Sequence, residues 1–198
     1  MGISCIVLAG GKSLRLRRNK ALEIIGNRNL LQRVVSLLGS FSSDIIIVTA
    51  TKQSFLQFVD YPKLRIVTDT YPGRGPLGGI YTGLVVSDSF YNLVIACDMP
   101  FLNQALLHYM IQISANFDLV VPRLNNMIEP LHAIYSKGCL ASIEHLLKQG
   151  NLSVRELFNM VRVRYVNDEE INRFDPKHLS FFNINTEADL ETARELAR

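Results

Sequence analysis

The sequence predicts an α/β fold of three layers, with a mostly parallel central sheet carrying helices on both faces. Three observations predict it. Short apolar runs of strand length alternate with longer segments of helical period, the order that builds parallel sheets. The first apolar run, Cys5 to Leu8, breaks into Gly10-Gly11, so a buried strand feeds a glycine loop at a sheet edge. No Ser-, Gly- or Pro-rich linker divides the 198 residues, so 1–198 reads as a single domain long enough to bury a substantial core.

The elements follow in order. Strand character falls on Ser4–Leu8, Asp44–Thr49, Leu64–Thr68, Asn92–Cys97 and Phe117–Val121. Between and after them, helical periodicity marks Leu30–Leu38, Gly79–Val86, Asn103–Ser114, Leu140–Lys148 and Glu187–Ala197. The last helix opens on Thr186 as an N-cap, with Glu187 and Asp189 placing negative charge in its first turn. Residues 126–185 are less regular. Pro130–Tyr135, Val161–Val166 and Leu179–Ile184 are expected there as further strands of the same sheet. There is no internal repeat and no low-complexity segment.

Composition narrows the function classes. Hydrophobic residues make up 48% and charged residues 20%, an ordinary balance for a folded domain. The net charge of +3 is largely accounted for by Lys12, Arg15, Arg17, Arg18 and Lys20, five cations in nine residues. So local a cluster suits a phosphorylated small molecule better than nucleic acid. No apolar run approaches the ~20 residues of a membrane helix, and the N-terminus lacks signal-peptide features. Cys5, Cys97 and Cys139 are dispersed and without metal-ligand spacing, which argues against disulfides and structural zinc. A cytoplasmic protein with neither nucleic acid nor membrane as partner is the expectation.

The stretch Ser4–Lys20 carries the chemistry. Backbone N–H groups of the glycine loop can surround an anion, and the cations that follow can neutralise phosphate oxygens, so a polyphosphate ligand is implied. Gly11-Lys12-Ser13 imitates the end of a P-loop, but Ile6 stands where that motif needs its first glycine. Asp98 follows the Asn92–Cys97 strand directly, the place where open α/β sheets bind ligands, and a carboxylate there suits Mg²⁺ shared with phosphates. Gly73–Gly78 matches G-x-G-x-x-G, yet Asp69-Thr70-Tyr71-Pro72 separate it from its strand, so a dinucleotide-binding dehydrogenase is rejected. Gly73–Gly79 reads instead as a second wall of the nucleotide pocket leading into the Gly79–Val86 helix. His108, His132, His145 and His178 have no ligand spacing and read as packing residues. Met99 and Met110 read as core, and Arg162, Arg164 and Arg173 as a solvated face. Asn183 and Asn185 lie two apart at an expected strand end, so both amides would share a face and serve substrate or metal.

These motifs resemble the molybdenum cofactor guanylyltransferases, of Rossmann-like nucleotidyltransferase fold, along nearly the whole chain. The resemblance is carried by LAGGKSLR (Leu8–Arg15), Lys20, Asp69, GPLGG (Gly75–Gly79), CDMPF (Cys97–Phe101), EPLHAIY (Glu129–Tyr135) and NINT (Asn183–Thr186). It implies an enzyme that joins the GMP part of GTP to the terminal phosphate of molybdopterin and releases pyrophosphate. It further implies that Leu8, Ala9, Gly10, Gly11 and Lys20 bind GTP, that Asp69 and Gly78 border the nucleotide, and that Asp98 binds GTP and Mg²⁺. Arg15, Lys20 and Asp98 would be the catalytic set, with Asn183 and Asn185 beside the substrates. Other cofactor-biosynthesis proteins or molybdoenzyme chaperones are the implied protein partners. The chain departs from the family pattern S-x-R-M-G-x-D-K at Arg17 and Asn19, and a guanine-site asparagine falls at Thr51. Two other readings remain: a cytidylyl- or sugar-phosphate nucleotidyltransferase, and a non-catalytic nucleotide-binding module.

Overall fold

Strand β1 (Ile3–Leu8) leads to a two-stranded hairpin, β2 (Ile24–Ile25) and β3 (Arg28–Asn29), and to helix α1 (Leu30–Leu38). Then come β4 (Ile45–Thr49), β5 (Leu64–Thr68), α2 (Gly75–Val86), β6 (Tyr91–Ala96) and α3 (Gln104–Gln112). The remainder holds β7 (Leu119–Leu124), β8 (Met127–Ile128), β9 (His132–Ser136), α4 (Leu140–Lys148), α5 (Val154–Leu157), β10 (Val163–Val166), α6 (Asp168–Asn172) and α7 (Glu187–Leu196). This computed structural model describes residues 2–9, 20–42, 44–50 and 64–197. The expectations for Gly10, Gly11, Lys12, Arg15, Arg17, Arg18, Asn19 and Thr51 therefore lie outside the described residues.

The strands lie in the order β10-β7-β9-β6-β1-β4-β5, with β8 attached to β7. β1 is an interior strand, parallel to both neighbours, its Leu8 level with Val48 of β4 and Ala96 of β6. Within the seven-strand path β9 alone runs against its neighbours. The cause is local. Asn125 and Asn126 both hold positive φ, 48° and 62°, which turns β7 back on itself into β8. A connection this short cannot make a parallel crossover, so the chain re-enters the sheet reversed.

Both faces of the sheet are covered, which is why its strands read as unbroken apolar runs. Cys5 and Val7 of β1 and Ile45 and Ile47 of β4 pack with Leu31, Val34 and Leu38 of α1 and Leu106, Leu107 and Met110 of α3. Ile6, Ile46 and Val94 point the other way, against Leu77, Ile80 and Leu84 of α2 and Ile143, Leu146 and Leu147 of α4. Ile6 is fully buried, and truncation to alanine there costs about 2–5 kcal/mol. A third, smaller cluster joins Ile25, Leu30, Ile184, Leu190 and Ala193 and clasps α7 to the β2–β3 hairpin.

Four expectations need correction. α2 begins at Gly75, four residues before the expected Gly79, because Pro76 lies in its first turn, where the missing N–H has no intrahelical partner to lose. Leu179–Ile184 is no strand. Leu179–Phe181 forms a 3₁₀ turn after a left-handed His178 (φ 53°), and Asp175 accepts the Leu179 and Ser180 N–H groups. Its Phe181, Phe182 and Ile184 are covered by side-chain clusters and not by a sheet ladder. Arg162 and Arg164 are also not simply solvated. Arg162 Nε lies 3.1 Å from Asp118 Oδ2, and Arg164 pairs with Glu170, which also accepts the Tyr109 hydroxyl. β7 extends three residues past Val121, to Leu124. Met99 and Met110 are core as expected, and His108 and His145 sit on helices. No helix among the described residues is long and apolar enough to cross a membrane.

Candidate active site

The site is built where β1 and β6 end side by side and their connections part, the position at which doubly wound sheets take ligands. Cys97 N donates to Leu8 O at 3.1 Å and Ala9 N donates to Val48 O at 2.9 Å, so Leu8 and Ala9 are locked to strands on either side. Gly10 and Gly11 follow this anchored point in the sequence. Asp98 occupies the turn after β6, fixed by buried Met99 behind it and by Ile184 N, which donates to the Asp98 carbonyl at 3.1 Å.

Lys20 stands at the head of a 3₁₀ turn whose Ala21 is buried. Its Nζ donates to Asn185 Oδ1 at 2.8 Å and lies 3.6 Å from Asp98 Oδ2. The Lys20 and Asp98 side chains are only 19% and 22% exposed, so the pair is held in a recess of reduced dielectric. Burial pushes the Asp98 carboxyl above the usual carboxylate range, and Lys20 and hydrogen bonds pull it back only in part. An anion so placed is short of positive charge, which a hard divalent cation would supply. Among the described residues no group of three or more His, Cys, Asp or Glu gathers for a metal. A cation on Asp98 would thus complete its shell with phosphate and water oxygens, the habit of Mg²⁺. The neighbouring Cys97 thiol is pushed up to about 12, chiefly by burial, so at neutral pH it is protonated and a poor nucleophile.

Asp69, just past β5, meets α2. Asp69 N donates to Thr49 O at 2.9 Å, and its Oδ1 accepts from Tyr71 N at 2.9 Å, with Thr82 Oγ1 3.1 Å away. Gly78 is required here by close approach: a Cβ on it would stand 2.8 Å from Tyr71 O and 3.3 Å from Asp69 Oδ1. The structure thus brings Leu8, Ala9, Lys20, Asp98 and Asn185 together at the strand ends, with Asp69 and Gly78 packed on one another.

Asn183 does not join Asn185. Without a strand the two amides diverge, and Asn183 Nδ2 donates to Phe181 O at 3.2 Å within its own segment. Two groups near this edge went unassigned in the sequence. Glu129, half-buried just before β9, has its carboxyl raised by burial and takes no side-chain hydrogen bond or ion pair among the described residues. Asp189 accepts from the Asn185 and Thr186 N–H groups, and only its place three residues after an N-cap threonine hinted at more than dipole complementarity. His132 is fully buried, 5.0 Å centroid to centroid from Phe181, and lowered to about 4 by burial, in keeping with packing.

A recessed carboxylate and ammonium facing each other beyond two parallel strands define a site for a polyanion and its counter-cation, as in nucleotide-handling α/β proteins. Residues 5–166 match the family described as the MobA-like NTP transferase domain. A probable molybdenum cofactor guanylyltransferase of Pelotomaculum thermopropionicum is 37% identical over 192 residues, covering 97% of this chain and 92% of the relative. The molybdenum cofactor guanylyltransferase of Desulfosudis oleivorans is 37% identical over 193 residues, covering 96% and 94%. The crystal structure of molybdopterin-guanine dinucleotide biosynthesis protein A from Archaeoglobus fulgidus superposes with a TM-score of 0.84 at 26% identity, over 98% of this chain and 97% of that one. The chain belongs to the MobA-like NTP transferases and, within them, to the molybdenum cofactor guanylyltransferases.

Proposed function

We propose that this protein transfers GMP from GTP to the terminal phosphate of molybdopterin, giving molybdopterin guanine dinucleotide and pyrophosphate. The observation that carries the assignment to these residues is the Lys20–Asp98 pair, 3.6 Å apart just beyond β6, with the burial of Asp98 only partly offset by Lys20. The substrates' identity is supported by the relatives' names.

An oxygen of the molybdopterin phosphate attacks the α-phosphorus in line. The bond from Pα to the bridging oxygen of Pβ breaks, and pyrophosphate leaves with the charge. The attacking phosphate is already ionised near pH 7, so no protein group need remove a proton. Leu8, Ala9, Gly10 and Gly11 are assigned to binding the nucleotide, with Asp69 and Gly78 bordering it. Lys20 and Arg15 offset charge building on the phosphates, and Asn185 holds Lys20 in place. Asp98 would hold Mg²⁺, which when bound supplies electrostatic stabilisation of the phosphate oxygens. Asn183 is assigned to the substrate side only if its segment rearranges on binding. A cytoplasmic site of action agrees with the three free cysteines Cys5, Cys97 and Cys139, and handing the product to other cofactor-biosynthesis proteins or molybdoenzyme chaperones follows from its class.

The test is pyrophosphate release from GTP with Mg²⁺ and molybdopterin, with CTP and sugar phosphates as alternatives. Release dependent on both GTP and molybdopterin is expected. Preferential use of CTP would move the protein to cytidylyl transfer, and nucleotide binding without release to a binding module. A thermal-shift panel reads the base preference separately, because a ligand at 100 times its Kd adds about 2.7 kcal/mol.

A further inference from the structure

The first turn of α7 is closed by a reciprocal capping box. Thr186 Oγ1 accepts from Asp189 N at 3.2 Å, and Asp189 Oδ2 accepts from Thr186 N at 2.7 Å. A cap needs nothing more. Yet Asp189 Oδ2 also accepts from Asn185 N at 2.8 Å, one residue outside the box. Asn185 is the residue whose amide oxygen receives Lys20 Nζ, while its neighbour Ile184 donates to the Asp98 carbonyl. Asp98, Lys20, Asn185 and Ile184 form a closed ring, and Asp189 braces it from outside.

We propose that Asp189 is a positioning residue for Lys20, fixing the Asn185 backbone so that the Asn185 amide aims the lysine ammonium into the phosphate site. Asn185 itself is exposed and makes no ladder contact that would hold it. Lysine carries about 2 kcal/mol of rotamer entropy, and ordering it before the ligand arrives lowers the cost of binding. Asp189 senses the lysine in return: its carboxyl is held below the usual range, first by the Asn185 N–H and in part by the Lys20 charge.

Two variants separate the brace from the cap. Thr186→Ala removes half of the capping box but keeps the Asp189 bond to Asn185, whereas Asp189→Ala removes both. The first measurement needs no nucleotide: the rate of Lys20 acetylation by acetic anhydride at fixed pH, read by mass spectrometry against exposed Lys148. Asp189→Ala should raise it several-fold, Thr186→Ala should leave it near wild type, and Asp189→Asn, which can still accept an N–H, should fall between. The second, resting on the proposed function, is the Kd for GTP. Asp189→Ala should weaken GTP roughly three- to tenfold, the range for one immobilised side chain. It should spare guanosine and add nothing when Lys20 is already alanine. Equal labelling in the Thr186 and Asp189 variants, or an undiminished Asp189 effect in the Lys20→Ala background, overturns the proposal. A wild-type protein that binds no GTP refutes the substrate reading instead, and the labelling result still decides the brace.

Discussion

At the amino ends of the strands, charge is matched with charge. Asp44 Oδ1 lies 2.6 Å from Arg65 Nη2, with Asp88 3.4 Å from the same guanidinium. Asp118 is bound by the Arg162 side chain and backbone N–H, which hold its carboxyl below the usual range. Just beyond β6, and just before the reversed β9, the pattern inverts. Asp98 is raised by burial despite Lys20, and Glu129 is raised by burial alone. The ion pairs at the amino ends are electrostatically finished by the fold. Asp98 and Glu129 are left to be completed by something that binds.

The sharpest test of this contrast is Asp98→Asn, which should lower kcat roughly 10²–10³-fold, the scale for losing one preorganised electrostatic group. Its folded carboxyl lies above the ordinary value, so any stability it contributes is present at low pH and is lost as pH rises through that value. The variant should therefore melt no lower than wild type at neutral pH, and a lower melting temperature would mean that Asp98 serves the fold. Lys20→Ala comes next. Loss of a charged hydrogen bond to phosphate should weaken GTP by about 1.5–3 kcal/mol while guanosine binding, followed by calorimetry, stays close to wild type. Equal losses for the two ligands would place Lys20 outside the phosphate site. The smallest effect belongs to the finished end. Asp118→Asn should leave kcat unchanged and cost about 1–2 kcal/mol, roughly 2–8 °C in melting temperature for a chain of this size. The sign opposes that of Asp98. A lowered carboxyl stabilises above the ordinary carboxylate value, and its contribution fades as pH falls through the folded value. Wild-type and Asp118→Asn melting curves should thus converge in acid.

The sequence made the sheet legible because both faces of β1, β4 and β6 are covered, leaving apolar runs with few competing readings. The reversal of β9 was hidden, since it depends on two asparagines adopting positive φ in a hairpin that periodicity does not mark. Leu179–Ile184 misled for the opposite reason: an apolar run needs burial, and here side-chain clusters provide it without a ladder. Asp98 was readable from its place after a strand, and Lys20 from its interval after the glycine loop. That Asn185 and not Asn183 meets Lys20 required the irregular path of 179–186, which no spacing rule gives.

The small third core has a consequence for the order in which the site comes into being. Lys20 and Asn185 are 165 residues apart in sequence, and Ile184, Leu190 and Ala193 are what carry the second to the first. During synthesis the sheet strands can pair while Asn185 is still unmade, so the lysine waits uncaged beside Asp98. Nucleotide affinity should then be acquired abruptly, with the closing of a contact that spans 165 residues, and a chain halted shortly before Asn183 would hold most of its sheet yet discriminate poorly among phosphates.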